Sequence, residues 1–181
     1  MRLPATYAST SKALEYGLEL IDDKIDSILD IGSGMGTMAL IKESILPCAS
    51  ITCVEREKEM INLGNKLDKI NYINSDTTTS FPPIKADLVS ESYFINEVKE
   101  ESLFGLLDNM WESSNKYLLF VEPGTINSYK RIMKIREYLI SKGGYVVAPC
   151  THNKKCPIAN DWCHFVTRVE RSKLHKLLKE A

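Results

Sequence analysis

The residues best suited to chemistry fall in two places along the 181-residue chain. The first is the turn Asp30-Ile31-Gly32-Ser33-Gly34-Met35-Gly36, followed by acids at Glu55 and Asp76 that close short apolar runs. Glycines in such a turn tolerate positive φ and let the backbone approach a ligand. A dinucleotide site wants Gly-x-Gly-x-x-Gly, which here would need glycine where the chain has Thr37. That departure favours S-adenosylmethionine, whose methionine part carries no phosphate, seated over Asp30, Gly32, Ser33, Gly34 and Gly36. Glu55 lies 19 residues after Gly36, the distance at which an acid ending the second strand meets ribose hydroxyls. Asp76 is placed to meet the adenine amino group.

The second place is a loop in which Cys150, His152, Cys156, Cys163 and His164 fall within 15 residues. Thiolates bind zinc or iron-sulfur clusters. The gaps of five and six residues are wider than a C-x2-C zinc knuckle and leave room for a larger object such as a cluster. Pro149 and Pro157 stiffen the loop beside two of the thiols. Three thiolates leave a fourth ligand to find, and His152 or His164 could supply it to zinc. Buried free cysteines are the plain alternative, and Cys48 and Cys53 are expected to be core or surface residues. A Pro149-Cys150 nucleophile of the cytosine C5 methyltransferase type is disfavoured. That motif belongs at the end of the fourth strand, where this chain has Glu91-Ser92-Tyr93-Phe94.

The elements that must position these residues follow from apolar periodicity. A helix is expected over Thr10 to Ile21, then a buried strand Ser27–Ile31 ending in the glycine turn. A helix over Met38 to Leu46 stops at Pro47, and Ile51–Glu55 is a second strand. Met60, Ile61, Gly64 and Leu67 mark a helix face, Asn71–Ile73 a weak third strand and Asp87–Ser90 a fourth. Leu103, Leu106, Leu107, Met110 and Trp111 mark the next helix, and Tyr117–Val121 is a clear fifth strand. Tyr129 to Ile140 reads as a helix stopped by Gly143-Gly144, with further strand-like runs at Tyr145–Ala148 and Phe165–Val169. Alternating strands and helices predict an α/β fold: a doubly wound, mostly parallel sheet of the Rossmann-like class I methyltransferase type, in one domain over residues 1–181.

Composition narrows the class. The chain is 44% hydrophobic and 26% charged, ordinary for a globular domain. No apolar run approaches the roughly 20 residues of a membrane span. The N-terminus has no signal-peptide core, so a cytoplasmic-type protein without membrane partners is expected. The net charge of −1 hides an asymmetry. Residues 126–181 hold 12 Lys/Arg against 4 Asp/Glu, leaving +8, while residues 1–125 carry −9. Such a basic third is either a set of solvated helix faces or a surface for a polyanion such as RNA.

Several segments together resemble the ribosome-associated, mitochondrial-type methyltransferase-like family of small-subunit assembly. They are Arg2 to Ala8, the turn Leu29 to Thr37, Glu91-Ser92-Tyr93, Val121 to Thr125, Ala148 to His152 and Asp161 to Phe165. The resemblance implies a class I methyltransferase fold with S-adenosylmethionine at the glycine turn, association with small-subunit ribosomal RNA, and a mitochondrial location in a eukaryote. It also implies a 4Fe-4S cluster on four cysteines, three of them matching Cys150, Cys156 and Cys163. Relatives of this kind continue past a basic helix like residues 168–179 into a last strand and the fourth cysteine. This sequence ends at Ala181, so the expectation is either a truncated relative or a sheet without its last strand.

The leading expectation is therefore an S-adenosylmethionine-binding protein acting on or bound to ribosomal RNA. Gly32, Gly34 and Glu55 would hold the cofactor, with Tyr93 and Glu122 at cofactor-facing strand ends. No Asn/Asp-Pro-Pro-Tyr motif or placed general base is present, so the reaction itself is not readable. A non-catalytic, metal-binding assembly factor on the same fold is the rival, and a small-molecule methyltransferase the third reading.

Overall fold

The structure, a computed structural model, describes residues 3–158 and 160–167. Arg2, the basic segment 168–179 and the end of the run Phe165–Val169 lie outside the described residues.

Strands and helices alternate as the periodicity requires. Helix α1 is Leu3–Leu18, β1 Ser27–Ile31, α2 Thr37–Ile45, β2 Ser50–Glu55, α3 Lys58–Leu67 and β3 Tyr72–Asn74. There follow β4 Ala86–Ser92, a 3-10 turn Ile95–Glu97, α4 Glu100–Ser113, β5 Ser114–Val121 and α5 Ile126–Ser141. Helix α1 begins well before Thr10 and ends at Leu18. Pro4 sits in its first turn, where a missing N–H breaks no helical hydrogen bond.

The five strands are all parallel, in the order β3-β2-β1-β4-β5. Their apolar residues divide between the two faces with period two. Leu29, Ile31 and Val89 face a cluster completed by Leu103, Leu106, Leu107 and Met110 of α4 and Ile135 of α5. Ile28 and Leu88 face the opposite way, against Leu14 of α1 and Met38 and Ile41 of α2. A sheet buried on both faces explains why its strands read as unbroken apolar runs.

The order reverses between β1 and β4. In open parallel sheets the carboxyl ends of the strands beside such a reversal form the ligand crevice. The glycine turn, Glu55 and the Glu91–Tyr93 segment all end strands on that edge.

Two expectations are corrected here. Tyr145–Ala148 and the described residues of the last run, Phe165–Thr167, form no strand. The Val146 N–H donates to the Asn153 side chain, so a loop side chain takes the place of a strand partner. Tyr145, Phe165 and Val166 are 87%, 73% and 86% exposed, and a β-run that buries neither face gains little from joining a sheet.

One contact ties α3 to the sheet edge. A Cβ at Gly64 would lie 2.2 Å from the Tyr72 hydroxyl and 3.0 Å from the Met35 carbonyl oxygen. Alanine ordinarily stabilises a helix relative to glycine by about 1 kcal/mol. Gly64→Ala is expected to do the reverse, lowering the unfolding free energy by about 1–3 kcal/mol through overpacking. Urea unfolding checks this, and Tyr72→Phe in the Gly64→Ala background should return part of the loss.

Candidate functional site

The glycine turn is fixed from every side. Gly32, Gly34 and Gly36 have φ of 64°, 55° and 80°, the left-handed region that side chains resist. The Ser33 N–H donates to the Val54 carbonyl at 3.1 Å, and the Gly36 N–H to the Ser33 carbonyl at 2.8 Å. The Tyr72 hydroxyl donates to the Gly34 carbonyl at 3.2 Å. Gly36 then opens α2 in the left-handed conformation, without a side-chain cap.

Glu55 completes the cradle. One carboxylate oxygen accepts the Gly34 N–H at 2.8 Å and the other the Glu57 N–H at 2.8 Å. The residue is buried at the end of β2. Each carboxylate oxygen can accept more than one hydrogen bond, so Glu55 can hold the turn and still accept from a ligand hydroxyl. A Cβ at Gly34 would meet nothing within 4 Å, so the backbone there faces open space.

Asp30 lies beneath the turn, buried, its carboxyl oxygen accepting the Ser90 hydroxyl at 2.7 Å. Burial pushes it up to about 7, helped by the Glu55 charge and opposed by the Ser90 hydrogen bond. Asp76 follows β3 and is committed to its own turn. It accepts the Thr78 N–H at 3.0 Å and hydroxyl at 2.6 Å, and pairs with Arg56 at 3.4 Å. The Thr78 hydrogen bonds, with Arg56, hold its carboxyl below the usual range.

On the other side of the reversal, Tyr93 turns the chain out of β4 with φ 61°, the one non-glycine residue at positive φ among the described residues. Its N–H donates to the Val121 carbonyl at 2.8 Å and its phenol meets the Ser9 hydroxyl at 3.1 Å. Glu122, just past β5, accepts from the Asn96 backbone N–H at 3.3 Å and from its side-chain amide. The edge thus brings Asp30, Gly32, Ser33, Gly34, Gly36, Glu55 and Tyr93 to neighbouring strand ends, with Asp76 one strand further out.

The sequence reading missed the groups that support these residues. Tyr72 was only part of a weak strand, yet its hydroxyl holds the turn. Phe94 packs so close to Gly32 that a Cβ there would lie 2.2 Å from its ring. Glu91 is fully buried. The available signal was a charged residue inside an otherwise buried strand.

The cysteine loop lies against α5 and the Glu122-Pro123-Gly124 turn. Arg136 donates to the carbonyls of His152 and Lys154 at 2.8 and 2.9 Å. The Trp162 indole N–H donates to the Gly124 carbonyl at 3.1 Å, and its ring stacks on His164. The Tyr129 hydroxyl lies 3.4 Å from the Cys156 sulfur. That contact, then burial, then the charges of Cys156, Cys163 and Cys150 push the Tyr129 phenol up to about 12. No group of three or more Cys, His, Asp or Glu among the described residues is arranged to hold a metal ion. Cys53 is buried and Cys48 exposed, as expected. No helix among the described residues is long and apolar enough to cross a membrane.

A parallel sheet of this order, with a glycine turn and an acid at successive strand ends, defines the Rossmann-like class I methyltransferase fold. The plantazolicin methyltransferase BpumL, solved with SAH, superposes with TM-score 0.58 at 24% identity, over 74% of this chain and 52% of that one. By sequence the chain belongs to the mitochondrial small ribosomal subunit Rsm22 family, whose model matches residues 1–181. The human mitochondrial ribosome assembly protein METTL17 is 27% identical over 91% of this chain and 41% of its own length. The Schizosaccharomyces pombe mitochondrial Rsm22-cox11 tandem protein 2 is 28% identical over 86% of this chain and 24% of its own. The chain thus spans less than half the length of these curated relatives.

Asp30 generates a pH prediction. Its folded-state carboxyl is raised above the unfolded value, so folding favours the protonated form. Its contribution is fully present below about pH 4 and is lost as pH rises through about 7. Stability should fall by about 3–4 kcal/mol across that window, and Asp30→Asn should remove most of the dependence. Urea unfolding at pH 5 and pH 8 checks both chains.

Proposed function

We propose that this chain is an S-adenosylmethionine-binding, methyltransferase-like protein of small ribosomal subunit assembly, acting on or bound to ribosomal RNA. The observation that carries the cofactor reading is the Glu55 clamp on the Gly34 N–H, which leaves acceptor capacity at the open edge of the turn. The ribosomal reading is supported by membership of the Rsm22 family and by the human relative's name as a ribosome assembly protein. The mitochondrial names of the relatives favour a mitochondrial location in a eukaryotic cell.

In this reading Gly32, Ser33, Gly34 and Gly36 form the backbone cradle, with Asp30 below it. Glu55 accepts from the ribose hydroxyls, and Asp76 offers a carboxylate to the adenine amino group. When bound, the cofactor supplies an electrophilic methyl on sulfur. Tyr93 and Glu122 line the strand ends where an acceptor would enter. Residues 126–181, at +8, supply the cationic surface for the RNA backbone.

Cys150, Cys156 and Cys163 are proposed as thiolate ligands of a 4Fe-4S cluster, or of zinc. Their spacing within one loop supports the assignment. Because no three-donor group is formed among the described residues, ligation requires the loop to close further.

The non-catalytic reading shares every residue except the acceptor site, and the human relative's name favours it over small-molecule methylation. Calorimetric titration of S-adenosylmethionine, with filter binding of small-subunit rRNA at several salt concentrations, separates the readings. We expect cofactor binding and an RNA affinity that falls steeply with salt. Transfer of labelled methyl to rRNA then supports an enzyme, and binding without transfer the assembly factor. No cofactor binding and no salt-dependent RNA binding would overturn the proposal. Anaerobic purification should yield iron with sulfide; zinc points to the smaller site, and no metal means that this chain does not assemble one.

A further inference from the structure

The ends of β4 and β5 hold two acids whose arrangement the cofactor reading does not use. One oxygen of Glu91 accepts the N–H groups of Phe94 and Ile95 at 3.3 and 3.2 Å. Its other oxygen, Oε1, is buried and has no hydrogen-bond donor among its neighbours in the described structure. The group facing Glu91 is a second carboxyl, Glu122, which itself accepts the Asn96 N–H. Asn96 in turn donates to the Ser128 hydroxyl at 2.7 Å. Three successive backbone N–H groups, of residues 94, 95 and 96, are thus taken up by two adjacent acids.

Two ionised carboxylates are acceptors only and cannot satisfy one another. One proton between them turns the contact into a donor–acceptor pair and removes a buried charge. We propose that Glu91 and Glu122 hold a single proton between them, and that this acid pair is the positioning latch that keeps Phe94 against Gly32 and so sets the glycine turn from the far side of the sheet reversal.

The chain of contacts is short. Tyr93 at φ 61° needs support, since a non-glycine residue in that region is strained. The latch supplies it on the C-terminal side, while the Val121 carbonyl and Ser9 supply it on the other. Phe94, next in sequence, then fills the space a Gly32 side chain would need. The charges near the pair are consistent with one retained proton. Burial and the Glu122 charge push Glu91 well above the usual carboxylate range, and burial raises Glu122. Arg131 of α5 acts on Glu122 from one side, and its guanidinium is itself shared with Glu100 of α4 at 3.5 Å and the Val98 carbonyl.

The test needs no cofactor, so its failure is separate from any failure of the cofactor reading. Infrared spectra of the full chain at pH 7, taken in the Asp30→Asn background so that the half-protonated Asp30 does not contribute, should show a carboxylic-acid C=O band that adding Glu91→Gln removes. Glu91→Gln mimics the protonated acid, accepting the two N–H groups and donating to Glu122, so amide exchange should match the wild type. Glu91→Ala should speed exchange about ten-fold or more in both segment 92–98 and segment 31–36. If Glu91→Ala does not fold, Glu122→Ala carries the same comparison. Faster exchange confined to residues 92–98 would overturn the latch, leaving a local cap. An acid band that stays unchanged when Glu91→Gln is added to Asp30→Asn would overturn the shared proton.

Discussion

The Glu55 carboxylate on the N–H groups of Gly34 and Glu57 is the interaction from which the site's geometry follows. Three glycines at positive φ would otherwise be free to wander, and each loses more backbone entropy on ordering than another residue would. A buried carboxylate at the end of β2 offsets that cost by accepting charge-assisted hydrogen bonds. The same bond fixes the distance between the ends of β1 and β2. Tyr72 from β3 and the Val54 carbonyl then close the remaining freedom of the turn.

The edge concentrates acids in a setting short of bases. Asp30 and Glu91 are buried, and only hydroxyls or backbone N–H groups reach them. Each answers burial by moving toward its neutral form. Glu55 and Asp76 hold multiple donors instead. The result is a graded edge: acids raised by burial lie inward, and Asp76, lowered by its Thr78 hydrogen bonds and Arg56, lies at the rim. Basic residues collect in the C-terminal third, away from this edge in sequence, where they suit a polyanion more than a cofactor that is itself cationic at sulfur.

Much of the fold was legible because the strands are buried on both faces. Ser27–Ile31 has the bounds read from its apolar run, and helices α2 to α5 arise where the 3.6-residue pattern places them, while α1 begins earlier. The failures share one cause. Tyr145–Ala148 and Phe165–Thr167 have the composition of strands, but pairing depends on a neighbour that composition does not reveal. The start of α1 was hidden because Pro4 and Thr6 look like a loop, although proline is at home in a first helical turn. In the site, Gly32, Gly34, Gly36 and Glu55 were visible through spacing, since the turn and the second strand are local. Tyr72, Phe94 and the Glu91–Glu122 pair were not. Their roles come from contacts between segments 31 to 62 residues apart in sequence, and no local pattern marks them. The cysteine loop was visible as a motif, but its described residues bring no three metal donors together, and spacing alone does not fix how a loop folds.

The most direct measurement is calorimetric titration of S-adenosylmethionine into the wild-type chain and Glu55→Gln. The glutamine keeps the volume and one acceptor while losing the charge and one of the two N–H contacts. Saturable binding to the wild type is expected, with about a ten-fold or greater loss of affinity in the variant, the equivalent of about 1.4 kcal/mol. Equal affinity in the two chains would contradict it, because the glycine turn would then bind without the carboxylate that organises it.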